Sequence, residues 1–335
     1  MKKIFKYFIF FILGVSALFM VGPRASSVLL DPTITSRTME DLQLHLQAEQ
    51  TSDLIKPDNE AMVYWADSIG IKTDYALVYL HGFSASRGEG DPIHLEFARR
   101  YHMNAYLARL DQHGLNESDA LLKLTPENLL QSAKEAIAYG KLLGNKVIVM
   151  SCSTGGTLAI YLASQNPSWV DGLICYSPNI DTYNQATHLL DGPWGKQILQ
   201  LIEGGKYHGW EDSDDVKKFW STRYRNEALI DLRQLLDATM RPETFHEVKQ
   251  PFLLLYYYKS EEEQDQTVSV PAMLQMYDQL GTPPDLKAKF AVPKAGHHVL
   301  ASKYHSKDLE TVRKYTFDFA ENVLHLSPHF GGLDE

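Results

Sequence analysis

Short apolar runs alternate with amphipathic segments along most of the chain. The runs YALVYL (75–80), KVIVM (146–150) and FLLLYYY (252–258) have the length and composition of strands that are buried on both faces of a sheet. Residues 126–142 carry apolar side chains every three or four positions, which predicts an amphipathic helix. Strands that alternate with helices form a mostly parallel sheet with helices on both faces. The pattern therefore predicts an α/β fold.

Weaker patterns extend this alternation. They predict further strands and helices, the strands at 61–66, 103–110, 172–177 and 286–292 and the helices at 91–102, 157–166 and 309–324. Residues 25–57 form a lead-in segment whose central part, TMEDLQLHLQAEQ, fits a short helix. It also fits a strand, because Leu42, Leu44 and Leu46 alternate with polar residues. The sequence leaves both open.

One long interval interrupts the alternation. Residues 179–250 separate two predicted strands, whereas connections in α/β folds usually span only a few residues. The interval combines tryptophans with charged residues and glycines. Ligands of α/β sheets bind at the carboxyl ends of the strands. We therefore predict that 179–250 is a lid, inserted into a core that is formed by 58–178 and 251–330.

The first 24 residues have the pattern of an export signal. Lys2, Lys3 and Lys6 accompany an apolar run from 7 to 21, and a Gly-Pro pair follows it. The run is shorter than the ~20 residues that span a bilayer comfortably, and no A-x-A cleavage site stands out. We expect residues 1–24 to be a signal peptide or an N-terminal membrane anchor, with the rest of the chain exported to the periplasm, the membrane surface or the medium.

Charge and cysteine content narrow the function further. The chain has a net charge of −10 and no basic cluster beyond its N-terminus, so nucleic acid is not an expected partner. Cys152 and Cys175 each end an apolar run and are expected to be buried thiols instead of a disulfide framework. No spacing of ligating residues fits a metal site, and we expect neither a metal nor a cofactor.

The stretch MSCSTGGTLA (150–159) joins a predicted strand to a predicted helix. At so sharp a turn, the side chain at the apex projects above the sheet, and its neighbours two positions away must be small. Ser153 occupies the apex, and Gly155 and Ser151 flank it. Serine at 151 departs from the usual G-x-S-x-G pattern. An ordinary helix N-cap serine gives the same pattern, so other motifs must decide whether Ser153 is a nucleophile.

Two main-chain amides are expected beside Ser153. The Thr154 N–H lies at the start of the predicted helix, where unpaired donors favour negative charge. The triplet His81-Gly82-Phe83 ends the central strand, and its glycine lets the loop turn so that the Phe83 N–H points to the same place. Two such donors form an oxyanion hole, which acyl transfer requires.

A base and a carboxylate follow the last two predicted strands. VPKAGHHVLAS offers His297 and His298 as candidate bases that could reach Ser153 from a flexible loop. KSEEEQDQTVSV follows FLLLYYY and offers four carboxylates, of which the three consecutive glutamates fit a solvated loop. The fourth carboxylate is Asp265, which precedes a proline-led helix.

The order of serine, acid and histidine, with HGF upstream, resembles the α/β-hydrolase superfamily. The long insertion and the element LDQHG (110–114) are similar to the monoacylglycerol-lipase and serine-aminopeptidase branch, and the resemblance covers roughly residues 60–325. In relatives the base follows a glycine, so the resemblance implies that His297 is the base and that His298 is a lid or packing residue. It also implies that Asp265 orients His297.

By the same resemblance, Asp111 and His113 are structural loop residues, and the activity is that of a serine hydrolase. Ser153 would attack a carboxylic ester and form an acyl-enzyme, which water then releases without a cofactor. The aromatic residues of the insertion favour a small-molecule ester with an apolar acyl group.

Two alternatives to an esterase stay open. The first is an aminopeptidase-like serine peptidase, in which acidic lid residues would hold the substrate amine; the candidates are Glu203, Glu211, Asp212, Asp214 and Asp215. The second is a catalytically silent binding protein, which the unusual Ser151 suggests.

Overall fold

A seven-stranded sheet lies at the centre of the computed structural model, which describes residues 2–329 apart from the side chains of residues 2–4, 8, 15 and 18. A separate pair of short strands lies in the insertion. In chain order the strands are β1 (Met62–Tyr64), β2 (Thr73–Leu80), β3 (Asn104–Leu107), β4 (Gly144–Cys152), β5 (Gly172–Tyr176), β6 (Tyr207–Gly209), β7 (Arg223–Arg225), β8 (Phe252–Tyr256) and β9 (Lys287–Ala291).

Helices flank the sheet and build most of the insertion. In chain order they are α1 (Lys2–Met20), α2 (Met39–Gln50), α3 (Ile93–Arg100), α4 (Pro126–Leu143), α5 (Thr154–Gln165), α6 (Gly195–Ile202), α7 (Asp214–Phe219), α8 (Glu227–Thr239), α9 (Pro242–Glu247), α10 (Val270–Gln279) and α11 (Leu309–Asn322).

The large sheet has the order β1-β3-β2-β4-β5-β8-β9. Its strands run parallel except for β1, which pairs antiparallel with β3 at one edge. The central strands β2 and β4 are almost wholly buried, as their continuous apolar runs predict. Two hydrophobic clusters cover the two faces of the sheet. The predicted α/β architecture is therefore confirmed.

The lead-in segment contains a helix, which decides between the two interpretations of its sequence. Thr38 Oγ1 accepts a hydrogen bond from the Asp41 N–H, and the Asp41 carboxylate accepts one from the Thr38 N–H, so that a capping box starts α2. In a strand, Leu42 and Leu44 would share one face. Here Leu42 is buried and Leu44 is 60% exposed, as helical geometry requires.

Helix α4 ends where strand β4 begins, with no loop between them. Thr125 caps the start of α4 by accepting the Asn128 N–H at 3.1 Å, and Pro126 occupies its first turn. Gly144, the residue after the helix, is already the first residue of β4. A Cβ atom at Gly144 would lie 2.4 Å from the Ala76 nitrogen on β2, so only glycine allows this direct passage from helix to strand.

Helix α5 starts against the carboxyl end of β2. A Cβ atom at Gly155, in the first turn of α5, would lie 2.1 Å from the Leu80 carbonyl oxygen. Leu80 in turn pairs with Ser151 of β4. The turn between β4 and α5 is therefore pressed against the central strand, and the absence of a side chain at 155 makes this approach possible.

The insertion predicted at 179–250 contains α6, α7, α8, α9 and the β6–β7 pair. Its residues Tyr224, Leu235 and Phe245 belong to the main hydrophobic core, so part of the insertion packs on the sheet's helices. The division into a lid and the two core ranges 58–178 and 251–330 stays a prediction. Residue 330 lies outside the described residues.

The N-terminal segment begins with α1, and the apolar side chains described on it are largely exposed. Within residues 2–329, the structure contains no helix with the length and apolar character that crossing a membrane requires. The export signal or anchor at 1–24 stays a prediction, and Met1 lies outside the described residues. Cys152 and Cys175 are buried free thiols, as predicted.

The close approach of α5 to β2 predicts an unusual response to alanine. Gly155→Ala should lower the free energy of unfolding by at least about 2 kcal/mol, because backbone atoms must move to make room for the Cβ atom. In most helices the same change is stabilising, since alanine has a higher helix propensity than glycine. The matched change Gly205→Ala, in open space, should alter stability by no more than about 0.5 kcal/mol. Urea denaturation of the two variants measures both, and equal effects would contradict the close approach.

Candidate active site

Ser153 lies at the apex of the turn between β4 and α5, where it is the N-cap of the helix. Its backbone has φ 51° and ψ −119°, a conformation that a residue with a side chain rarely adopts. The Ser153 N–H donates to the Tyr176 carbonyl at 3.1 Å, and the Ser153 carbonyl accepts from Asn179 at 3.0 Å. The end of β5 and the segment after it therefore hold the strained turn.

The fold accommodates serine at position 151 without distortion. Ser151 continues β4 in register with Leu80 on β2 and with Cys175 on β5. Its hydroxyl donates to the Cys175 Sγ at 3.5 Å. A Cβ atom at Gly156 would lie 3.6 Å from the Ser151 Oγ, an ordinary van der Waals distance, so the hydroxyl does not crowd the start of α5. The departure from G-x-S-x-G is thus compatible with the sharp turn.

The loop after β2 brings Phe83 to the same place. The His81 ring is buried; its Nε2 accepts the Leu110 N–H at 3.0 Å and its Nδ1–H donates to the Gly82 carbonyl at 2.9 Å. Burial is the main reason that the pKa of His81 lies well below its usual value. Neither the Phe83 N–H nor the Thr154 N–H donates to another residue in the described part of the chain. Two amide donors are thus free beside Ser153.

Asp265 is paired with His298, and this corrects the predicted pairing with His297. The Asp265 Oδ2 lies 2.6 Å from the His298 Nδ1. Its other oxygen accepts the Thr267 and Val268 N–H groups at 2.9 and 3.0 Å, which fixes the carboxylate in the loop after β8. Both side chains are buried. The predicted pairing of Asp265 with His297 is therefore wrong, while the catalytic roles of Ser153, Asp265 and His297 stay predictions.

His297 has partners other than Asp265. It follows Gly296, whose φ of 68° is a conformation that favours glycine. The His297 ring stacks on His305, with centroids 4.1 Å apart, and its Nδ1 accepts the Val299 N–H at 3.1 Å. His297 lines the rim of the site and is more exposed than His298.

The environments of Asp265 and His298 favour their charged forms. Burial raises the pKa of Asp265, but the charge of His298, its hydrogen bond and the two backbone N–H groups outweigh burial and leave the pKa below its usual value. Burial lowers the pKa of His298, but Asp265 and a second carboxyl group, Glu89, outweigh it and leave the pKa raised. The His298 Nε2 is buried and has no hydrogen-bond partner within residues 2–329.

A cavity of about 520 Å³ lies over the carboxyl edge of the sheet and is lined by Ser153, His298 and Phe83. The insertion supplies much of its apolar wall, through Leu190, Leu199, Trp220, Tyr224, Leu229 and Leu232. Among the acidic candidates, Glu203 and Asp212 also line the cavity. In the described part of the chain, no group of three or more His, Cys, Asp or Glu side chains is arranged to hold a metal ion.

Solved structures resemble this fold closely. A structure described with the metagenome-derived lipolytic enzymes LipS and LipT has a TM-score of 0.63 and 16% identity, covering 79% of this chain and 98% of its own. The monoacylglycerol lipase of Paleococcus ferrophilus has a TM-score of 0.55 and 15% identity, covering 77% and 96%. Est1E of Butyrivibrio proteoclasticus, bound to ferulic acid, has a TM-score of 0.53 and 15% identity, covering 82% of this chain and 100% of its own. No protein-family model and no curated protein matches the sequence. At such low sequence identity, the structural similarity establishes the fold and nothing more.

The two adjacent histidines are expected to titrate in opposite directions from the usual value of 6.5. His298 should titrate above it because of Asp265 and Glu89. His297 should titrate below it, because the surrounding protein and the neighbouring His305 and His298 disfavour its charge. NMR titration of the ring protons, assigned with His297→Gln and His298→Gln variants, measures both. The reverse order of midpoints would contradict the pairing with Asp265.

Proposed function

The chain has the α/β-hydrolase fold, and from this fold we propose that it is a serine hydrolase that cleaves carboxylic esters. The observation that carries the proposal is the strained backbone of Ser153, which presents its hydroxyl to the cavity that His298 also lines. The Asp265–His298 pair and the free amides of Phe83 and Thr154 supply the other groups that acyl transfer needs.

In the proposed reaction, His298 Nε2 takes the proton of the Ser153 hydroxyl as its oxygen attacks the ester carbonyl. The Phe83 and Thr154 N–H groups donate to the oxyanion that forms, and each such donor is typically worth ~3 kcal/mol in the transition state. The imidazolium then protonates the leaving alkoxide, which departs and leaves an acyl-enzyme. Water, deprotonated by the same nitrogen, attacks the acyl group and regenerates the serine.

Asp265 is proposed to act through His298. Its hydrogen bond to Nδ1 holds the imidazole in the tautomer whose Nε2 is unprotonated and available. Its charge stabilises the imidazolium that forms after proton transfer. We therefore propose His298 as the general base in place of His297, which lies at the rim of the cavity.

We propose that the substrate is a small ester with an apolar acyl group. The support is the apolar wall that the insertion contributes to the cavity, since such surfaces bind acyl chains by the hydrophobic effect. Three of the similar structures are described as lipolytic enzymes, a monoacylglycerol lipase and an enzyme that binds ferulic acid. These descriptions indicate that esters of carboxylic acids should be tested first.

A serine peptidase is the second candidate, because two acidic residues of the insertion line the cavity. Glu203, which also accepts a hydrogen bond from His208 Nδ1 at 3.0 Å, and Asp212 could hold a substrate amine. Glu211 instead pairs with Lys217 on the surface. Faster hydrolysis of aminoacyl-nitroanilides than of p-nitrophenyl esters would favour the peptidase.

The proposed nucleophile and base predict a clear ranking of variants. Hydrolysis of p-nitrophenyl acetate and butyrate should fall by at least about 1000-fold in Ser153→Ala and His298→Ala. The matched variant His297→Ala removes the adjacent ring of the same type and should change kcat by less than about fivefold. If His297→Ala were the inactive variant, the assignment of the base would be wrong. Wild-type activity equal to that of Ser153→Ala would contradict the esterase itself.

The raised pKa of His298 predicts where activity is lost in acid. A base must be neutral, so the rate should fall as pH drops through the pKa of His298, and the midpoint should lie above 6.5. Asp265→Asn removes the charge that raises this pKa. Because the Thr267 and Val268 N–H groups hold the remaining oxygen, the new NH2 group faces Nδ1 and favours the wrong tautomer, so kcat should fall by about 1000-fold or more. The pH dependence of kcat/KM measures the midpoint, and one clearly below 6.5 would contradict the pairing.

A further inference from the structure

A second buried carboxyl group lies in the candidate active site. Glu89 belongs to a single 3₁₀ turn, Arg87–Gly90, is 2% exposed and lines the cavity together with Ser153 and His298. The reaction proposed above uses no second carboxylate. Buried glutamates are uncommon unless they are paired, so this one calls for a physical explanation.

Glu89 binds the start of the loop that follows β2 and carries Phe83, which we call the oxyanion loop (residues 81–84). Its Oε2 accepts the Gly82 N–H at 2.7 Å and the Tyr79 hydroxyl at 3.0 Å. The carbonyl of Gly82 accepts the His81 Nδ1–H at 2.9 Å. Gly82 is thereby fixed at both its N–H and its C=O. The Gly82 carbonyl and the Phe83 N–H share one planar peptide unit, so fixing the first sets the direction of the second.

The carboxylate also lies close to the nucleophile. A Cβ atom at Gly82 would lie 2.8 Å from Glu89 Oε1 and 3.0 Å from the Ser153 Cβ, so both atoms border the same small space. Electrostatic interaction links Glu89 with His298: the carboxylate raises the pKa of the imidazole. In return, the charge of His298 lowers the pKa of Glu89, which burial nevertheless raises to about 7.

The other ionisable groups around Glu89 stay in one state near neutral pH. Tyr79 on β2 and Cys152 on β4 have pKa values well above their usual range because they are buried, and both stay neutral. His94 on α3 packs edge-on against the Tyr79 ring, and burial lowers its pKa to about 4. Arg87, on the same turn, pairs with Asp58 and Glu60, with nitrogen–oxygen distances of 3.9 and 3.7 Å. His298 is therefore the neighbour whose charge changes during catalysis.

We propose that Glu89 is a positioning residue for the oxyanion hole: it holds Gly82 so that the Phe83 N–H faces the reacting carbonyl, and its negative charge supports the imidazolium of His298. The inference rests on the proposed esterase function and extends it. A glutamine would accept the Gly82 N–H without the free-energy cost of burying a charge. What only a carboxylate adds is the charge beside His298.

Two substitutions separate the two effects. Glu89→Gln keeps an acceptor for the Gly82 N–H but removes the charge; it should shift the acid limb to lower pH, because His298 loses an anionic neighbour, and it should retain more of kcat at about pH 9 than Glu89→Ala does. Glu89→Ala removes the acceptor as well and should lower kcat about tenfold or more with little change in KM, since the Phe83 amide acts mainly in the transition state.

The matched control is Glu49→Gln. Glu49 is also a buried carboxyl group, but it pairs with Arg109 outside the cavity, so its loss should leave the acid limb in place even if stability falls. All variants are measured in the full chain with p-nitrophenyl butyrate from about pH 5 to about pH 9. If the acid limb of Glu89→Gln coincides with those of the wild type and Glu49→Gln, the inference is overturned.

A second measurement reads the contact without using activity. In protein with carbonyl-¹³C histidine and ¹⁵N-glycine, the selected amides are Gly82, Gly114 and Gly209, which each follow a histidine. The Gly82 proton should shift with a midpoint near pH 7 as Glu89 titrates, and this shift should vanish in Glu89→Gln. The other two amides serve as internal controls. The inference is overturned if the chemical shift of the Gly82 amide proton changes neither with pH nor in Glu89→Gln.

The two proposals fail in distinguishable ways. Wild-type activity no greater than that of Ser153→Ala removes the esterase, and the inference falls with it. An active wild type with unaltered Glu89 variants removes the inference alone and leaves the esterase standing. An equal loss of kcat in Glu89→Gln and Glu89→Ala, with an unmoved acid limb, shows a merely structural residue and also overturns the inference.

Discussion

The close contact between the start of α5 and the end of β2 is the constraint on which the candidate site depends. Because Gly155 has no side chain, the helix can begin against the Leu80 carbonyl, and the turn before it is forced into the positive-φ conformation of Ser153. That conformation directs the serine side chain out of the sheet and leaves the Thr154 N–H unpaired. A looser turn would let Ser153 relax into an ordinary N-cap, with its hydroxyl bonded to the helix.

The rest of the site follows from the parallel sheet. Strands β2, β4 and β8 run in the same direction, so the loops after them reach the same edge, and the loop after β9 joins them there. Asp265 and His298 are distant in sequence from Ser153, yet the sheet order brings His298 to the cavity that Ser153 lines and places Asp265 in hydrogen-bond contact with His298. Burial of their hydrogen bond protects it from water, which makes the charge of Asp265 effective on the imidazole.

The sequence predicts this frame well and its details less well. The strands, the apex at Ser153 and the loop that carries Asp265 are all visible because periodicity and turn residues mark them. His297 and His298 cannot be separated in this way: they are adjacent residues of the same type, and only the three-dimensional path of the loop places His298 on Asp265 and His297 on His305. The position of Glu89 in the site cannot be predicted from the sequence for another reason. Its turn has only four residues and no periodic pattern, and its burial depends on contacts with a strand ten residues earlier.

The insertion and the sheet hold the oxyanion loop from opposite sides. On the sheet side, Gly82 is bound by Glu89 and His81. On the other side, the Ser221 N–H of the insertion donates to the Ser84 carbonyl at 2.8 Å, and the Phe219 ring lies so close to Gly88 that a Cβ atom there would be 2.4 Å from it. The 3₁₀ turn that carries Glu89 is thus packed between α7 and the loop. A change in the insertion's position would act on the Phe83 amide through this turn, which links the insertion's wall of the cavity to the proposed oxyanion hole by direct contact.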